Sequence, residues 1–261
     1  MRATGVLAAA VTTVLAAGLV ACHGGSPSSS PGGTPQSTGS IVVFAAASLK
    51  SAFTEIGGRF KTDNPGSGVE FEFAGSSALA TQLTQGATAD VFASADTAQM
   101  ATVANAGLLA GNPANFASNT LVIVTAPGNP RHVGAFADLA KPGLSVVVCQ
   151  QPVPCGAATH RIEDSTGVHL NPVSEEPSVT DVLNKVTSGQ ADAALVYRTD
   201  AMSAAGKVST VSFPQASTAV NVYPIAVLKK APRPEPAQKF VDLVTSDAGR
   251  QILVRFGFAQ P

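Results

Sequence analysis

Two serines sit in settings suited to gripping an anion. Ser48 follows the apolar run Ile41-Val42-Val43-Phe44-Ala45 and two further alanines; Ser76 follows Val69 to Ala74 and a glycine. After each serine the apolar spacing turns helical, through Leu49, Ala52, Phe53, Ile56 and Phe60 in the first case and Leu79 and Leu83 in the second. The spacing places Ser48 at a helix N-cap and Ser76 at the start of a short helix. The first N–H groups of a helix lack intrahelical partners and carry partial positive charge, and a serine adds a hydroxyl. Small neighbours leave the approach open, as an anion site requires. A single serine in such a place is most often a plain cap; the repetition is what argues for more.

The elements that must position these serines alternate along the chain. Ala89 to Ala93 reads as a third strand, and Asp96 caps a helix carrying Met100, Val103 and Ala104, ended by Gly107. Asp90 and Asp96 read as turn formers and caps. Leu121 to Thr125 is a strand, closed by the breaker Pro127-Gly128-Asn129-Pro130. A second region follows: a short helix at Phe136–Ala140, a strand at Leu144–Cys149, and a rigid turn into a helix at Ala157–Ser165. Ser178 caps a helix whose inner face is Val179, Val182, Leu183 and Val186. Strands at Ala193–Tyr197 and Val208–Phe213 precede a long one at Asn221–Leu228. Pro224 interrupts that last strand and assigns it to an edge or a crossing. Helices near Glu235–Thr245 and Asp247–Arg255 close the chain, and chain ends often lie together, so they are expected on the first region. The class is α/β, with mixed, mostly parallel sheets and helices on both faces. In such sheets ligands sit beyond the carboxyl ends of the strands.

Composition narrows the partners. The 261 residues carry a net charge of −1 and no basic run, which argues against nucleic acid. There is no Trp, and tyrosine occurs only at 197 and 223, so a stacking platform for sugars or bases is absent. Residues 1–22 read as a targeting segment: Arg2 supplies the charge and Ala3 to Val20 are almost wholly small and apolar. Leu19-Val20-Ala21-Cys22 resembles a bacterial lipobox, which implies acylation of Cys22 as the mature N-terminus. An ordinary signal peptide and a membrane helix are the alternatives, the latter disfavoured by the missing basic flank. Residues 23–40 are rich in Gly, Ser, Pro and Thr and read as a flexible linker. The expected location is extracytoplasmic, at the cell membrane, lipid-anchored. In an oxidising compartment Cys149 and Cys155 favour a disulfide; a metal pair with His160, or two free thiols, are the rival readings, and the spacing matches no common zinc site.

Six stretches taken in order carry a family resemblance. Val43-Phe44-Ala45-Ala46-Ala47-Ser48-Leu49, Ala74-Gly75-Ser76-Ser77, Gly86 through Asp96, Val153-Pro154-Cys155-Gly156, Ala194 through Asp200, and Arg255-Phe256-Gly257-Phe258 resemble the periplasmic molybdate-binding proteins of bacterial molybdate ABC transporters. Together they span nearly all of residues 41–258. The resemblance implies a two-lobed periplasmic-binding-protein fold of type II with a two-strand hinge. Residues 41–122 plus 219–261 then form one lobe and 123–218 the other. It implies capture of molybdate or tungstate between the lobes, no cofactor, and no metal beyond the oxyanion. The partners it implies are a membrane permease and its ATPase subunit, served by a monomer. Carried over by position, Ser48 and Ser76 give hydroxyl and backbone N–H, Cys155 and Val179 give backbone N–H, and Tyr197 gives its hydroxyl. Cys155 stands where the family has a small residue, often Ala. After Val179 the basic residue common in the family is missing, which leaves Ser178 and Thr180 as alternative contacts.

All these positions are neutral donors. Hydrogen phosphate carries a proton that needs an acceptor, and a donor-only site leaves it unpaired. Molybdate and sulfate carry none at neutral pH, so size must separate them; a binder of sulfate is the alternative reading. An amino-acid binder would want an arginine. An enzyme is disfavoured: there is no Gly-x-Ser-x-Gly elbow, and none of the histidines at 23, 132, 160 and 169 lies in a motif resembling a base. A surface interaction protein is the remaining rival.

Overall fold

A computed structural model of the chain describes residues 39–261. The expected targeting segment, the expected acylation site Cys22 and all but the end of the expected linker lie outside the described residues. No helix among the described residues is long and apolar enough to cross a membrane.

The first lobe begins with β1 (Gly39–Ala46), followed by a 3-10 turn at Ala47–Leu49 and α1 (Lys50–Asp63). β2 (Ser67–Ala74), α2 (Ser76–Thr84), β3 (Val91–Ala93), α3 (Thr97–Asn105) and β4 (Ala114–Asn119) follow. The chain then crosses. The second lobe holds β5 (Leu121–Thr125), β6 (Val146–Cys149), α4 (Pro154–Thr166), β7 (Ser174–Glu176), α5 (Val179–Thr187), β8 (Ala193–Tyr197), α6 (Arg198–Ser203) and β9 (Ser209–Val211). It returns through a 3-10 segment (Pro214–Ala219) to β10 (Asn221–Val227), α7 (Pro234–Thr245) and α8 (Asp247–Arg255).

Two five-stranded sheets result, ordered β2-β1-β3-β10-β4 and β7-β6-β8-β5-β9. Each is mixed in equal measure rather than mostly parallel. β1 runs parallel to β2 and β3 while β10 opposes β3 and β4; β6 runs parallel to β7 and β8 while β5 opposes β8 and β9. The antiparallel pairings all involve β5 and β10, the strands that enter each sheet from the other lobe. The crossing falls at Thr120, so Leu121 and Val122 pair with Tyr197 and Val196 in the second sheet. Asn119 and Asn221, at the two crossings, are partners in register.

Burial explains the placement. Ile41, Val43 and Ala45 of β1 are fully buried, as are Phe53, Ile56 and Phe60 on the inner face of α1. Phe240 of α7 packs edge-on between Phe53 and Phe60, at 5.8 and 5.6 Å, which fixes the chain's end on the first lobe. Of the two places expected for the Pro224 strand, the structure gives the crossing and not the edge: β10 returns from the second lobe and lies between β3 and β4. The register shifts between Tyr223 and Pro224, with Tyr223 opposite Ala117 and Pro224 opposite Asn115, so the pairing to β4 is irregular at the proline. Its carbonyl still accepts from the Ser94 N–H at 3.0 Å.

A cage of neutral donors

Ser48 is not the N-cap its spacing suggested. The helix is entered through the 3-10 turn, whose cap position is Ala46, with no side-chain capping bond. Ser48 therefore lies inside the first turn, and its buried hydroxyl is free to face elsewhere. It meets the Tyr223 hydroxyl at 3.0 Å. Ser76 opens α2 as expected, and its Oγ accepts a bond from the Ala95 N–H at 3.0 Å.

In the second lobe Pro154 occupies the first position of α4, where its missing N–H removes nothing. Cys155 is thus the first residue of that helix with a free amide to offer. Cys149 and Cys155 are joined in a disulfide, with Cα atoms 5.7 Å apart, so neither is a metal ligand. His160 is paired instead with Glu163, Nδ1 to Oε2, at 2.8 Å. Gly156 follows because a Cβ there would lie 1.9 Å from the Gln150 carbonyl oxygen. Ser178 caps α5: its Oγ accepts from the Asp181 N–H at 3.3 Å and donates to Asp181 Oδ2 at 2.6 Å. Its hydroxyl is thereby committed, and Val179 presents the next amide.

Ser48, Ser76, Cys155, Val179 and Tyr197 all line one small cavity, about 10 Å³, between the lobes. That is below the roughly 300–1,000 Å³ of a pocket for a drug-sized ligand. Neither Ser178 nor Thr180 lines it, and the remaining wall is small or apolar, including Ala46, Ala47, Gly75 and Ala95. Among the described residues that line it, none is charged. A larger cleft in the first lobe, lined by Leu83, Leu108, Leu228 and Lys230, gathers no helix N-terminus.

Four helical N-termini meet at the cavity, two from each lobe. Each carries about half a positive charge, so together they offset on the order of two negative charges without a cationic side chain. The three hydroxyls are arranged to match. Tyr197 is buried at the end of β8, and its oxygen accepts from Asn221 Nδ2 at 2.7 Å. Ser76 accepts from Ala95. Ser48 accepts when Tyr223 is the donor. Each hydroxyl then keeps its own proton for the cavity. Burial, with Tyr223, Asp96 and Asp200 nearby, pushes the Tyr197 hydroxyl well above its ordinary pKa, so it remains a donor. Burial also raises Asp96, the cap of α3, and raises Asp200 to about 7 despite bonds from backbone amides. Asp200 Oδ2 accepts from the Tyr197 N–H at 3.2 Å.

Asn221 and Tyr223 escaped the sequence reading. Asn221 is buried at the crossing, where its amide also reaches the carbonyls of Ala95 at 2.9 Å and Pro154 at 3.2 Å, one in each lobe. Its Oδ1 accepts from Arg161 Nη2 at 2.5 Å. The available signal was a polar residue heading an otherwise apolar strand.

Two lobes, paired crossing segments and a small uncharged cage at the seam define a solute-binding protein of the two-lobed kind. The chain belongs to the bacterial extracellular solute-binding protein family, which it matches over residues 41–259. As a member of that family it is a binding protein rather than an enzyme. Over all 261 residues it is 66% identical to the molybdate-binding protein ModA of Mycobacterium tuberculosis H37Rv, covering 100% of both chains. The periplasmic molybdate-binding protein of Azotobacter vinelandii superposes with a TM-score of 0.73 at 22% identity, covering 85% of this chain and 99% of that one. The sulfate-binding protein SubI of M. tuberculosis H37Rv superposes with a TM-score of 0.74 at 18% identity, covering 85% and 86%. The two superpositions establish the fold.

Proposed function

We propose that the chain captures molybdate, and tungstate about equally well, and delivers it to an ABC permease driven by its ATPase subunit. The observation that carries this is the convergence of four helix N-termini and three protein-supported hydroxyls on one small uncharged cavity. The 66% identity to a molybdate-binding protein agrees with it. In this reading Ser48, Ser76 and Tyr197 donate hydroxyl protons, and Ser48, Ser76, Cys155 and Val179 donate backbone N–H. A hydrogen bond to a charged acceptor contributes roughly 1.5–3 kcal/mol, so several together support sub-micromolar capture against the opposing cost of ordering the lobes. The protein acts as a monomer outside the cytoplasm, held to the membrane by acyl chains on Cys22.

Titration calorimetry with a panel of oxyanions tests the site. Molybdate and tungstate should bind tightly, sulfate far more weakly and phosphate hardly at all. Sulfate binding as tight as molybdate would favour the sulfate reading; tight phosphate binding would refute a donor-only cage. For the anchor, Cys22→Ala should abolish incorporation of labelled fatty acid and release the protein from membranes.

A further inference from the structure

Gly75 stands in the turn between β2 and α2 with φ −59° and ψ 136°, a conformation open to any residue. The usual reason for glycine, a positive φ, is therefore missing. The reason lies across the seam. A Cβ on Gly75 would sit 2.2 Å from the carbonyl oxygen of Pro177 and 3.4 Å from Cγ1 of Val153. Both belong to the second lobe, whereas Gly75 belongs to the first. All three of its nearest obstacles are second-lobe atoms, so the obstruction exists only while the lobes are together. Gly257 offers a contrast: a Cβ there would meet the Met202 sulfur at 2.3 Å, but that side chain can turn aside. The Pro177 carbonyl is backbone and cannot. Close by, Gln99 Nε2 of α3 donates to the Pro152 carbonyl at 2.9 Å, a polar clasp across the same seam.

We infer that Gly75, by its missing side chain, sets how far the lobes close and so determines the size of the oxyanion the cage accepts. This rests on the reading of the cavity as an oxyanion trap. Real Cβ atoms essentially never approach a neighbour within 3.0 Å, so Gly75→Ala would stop the lobes roughly 1 Å short, within a distance over which van der Waals contact and hydrogen bonding are largely lost. Donors of one lobe then fall out of reach of an anion held by the other, and a smaller anion suffers most.

The test uses the purified full chain, read by calorimetry and by small-angle scattering with and without molybdate. Wild type should bind molybdate and contract. Gly75→Ala should stay folded and melt close to wild type without ligand: its φ and ψ suit alanine, and the cost is that alanine is a poorer N-cap for α2 than glycine. Its Kd for molybdate should rise on the order of 30-fold or more, the ratio of sulfate to molybdate Kd should widen, and contraction should shrink. Gly58→Ala, on the exposed face of α1 with nothing within 4 Å, should leave Kd unchanged. Gln99→Ala, which lies outside the cavity, should weaken molybdate severalfold. If wild type binds and Gly75→Ala binds and contracts like it, the inference falls while the site reading stands. A Gly75→Ala chain that is unfolded without ligand also overturns it, because the obstruction would then lie within the first lobe. Failure of wild type to bind any oxyanion removes the site reading and this inference with it.

Discussion

The two lobes build their halves of the cage from different materials. In the proposed site the first lobe adds two side-chain donors to its two amides: Ser48 and Ser76 each bring a hydroxyl to a helix start, and neither is used as an N-cap. In the same proposal the second lobe offers mostly backbone, the amides of Cys155 and Val179, with Tyr197 its one side-chain donor; all three line the cavity. The supports differ accordingly. In the first lobe a partner orients each hydroxyl, Tyr223 for Ser48 and the Ala95 amide for Ser76. In the second, the backbone itself is held, by Pro154 and the Cys149–Cys155 disulfide at α4 and by the Ser178–Asp181 cap at α5. The half richer in side-chain donors is therefore more open to single-atom deletion. The half made of backbone yields only when its loops are loosened.

The largest expected effect breaks the side-chain half. Ser48→Ala or Ser76→Ala removes a donor to a charged guest, worth roughly 1.5–3 kcal/mol, so the molybdate Kd should rise about 10- to 100-fold for each. Tyr197→Phe, the equivalent deletion in the second lobe, should fall in the same range. It also leaves Asn221 Nδ2 with two carbonyl acceptors, those of Ala95 and Pro154, so folding should survive. Calorimetry on the three variants checks the pattern. A serine variant binding like wild type would show that lobe's hydroxyls to be structural only.

A smaller effect tests the backbone half. Opening the disulfide frees a loop of six positions in sequence separation, which by chain entropy costs about 2 kcal/mol of stability. Cys149→Ala combined with Cys155→Ala keeps the amide of residue 155 but loosens the turn that aims it. The melting temperature should drop, and the molybdate Kd should rise severalfold, less than for either serine. Reductant should reproduce both changes in wild type and neither in the double variant. Equal losses from serine deletion and disulfide loss would erase the distinction between the halves.

The same asymmetry governed what was legible in advance. The first lobe's site follows an apolar strand and helical periodicity, so Ser48 and Ser76 stood out by residue type and spacing. Cys155 and Val179 were reached through family resemblance, because a backbone donor leaves no side-chain signature. The Ser48 cap was misplaced by a 3-10 entry, which no spacing rule reveals. β4 and β7 were missed because Ala114–Asn119 and Ser174–Glu176 are polar edge strands without an apolar alternation. The supporting shell was invisible for another reason. Ser48 and Tyr223 are 175 positions apart, and Asn221 bonds Ala95 across 126. Only closure of the tertiary fold brings such groups together.

The smallest effect concerns charge behind the second lobe's tyrosine. Asp200 is buried, and desolvation raises its carboxyl to about 7. Its folded pKa therefore exceeds the unfolded value of 3.8, and the folded state binds the extra proton. The stabilisation tied to that proton is fully present below the unfolded pKa and is lost as pH rises through about 7. Asp200→Asn keeps an acceptor for the Tyr197 N–H and removes the titration, so its stability should fall less between pH 5 and 8 than that of wild type. Ligand binding couples to the same proton. A dianion beside Tyr197 disfavours ionised Asp200, so molybdate binding to wild type should take up protons near neutrality and tighten modestly as pH falls from 8 to 6. In Asp200→Asn that slope should flatten, as calorimetry in buffers of different ionisation enthalpy would record. An unchanged slope would place the second lobe's pH response elsewhere and leave Asp200 a purely structural cap of α6.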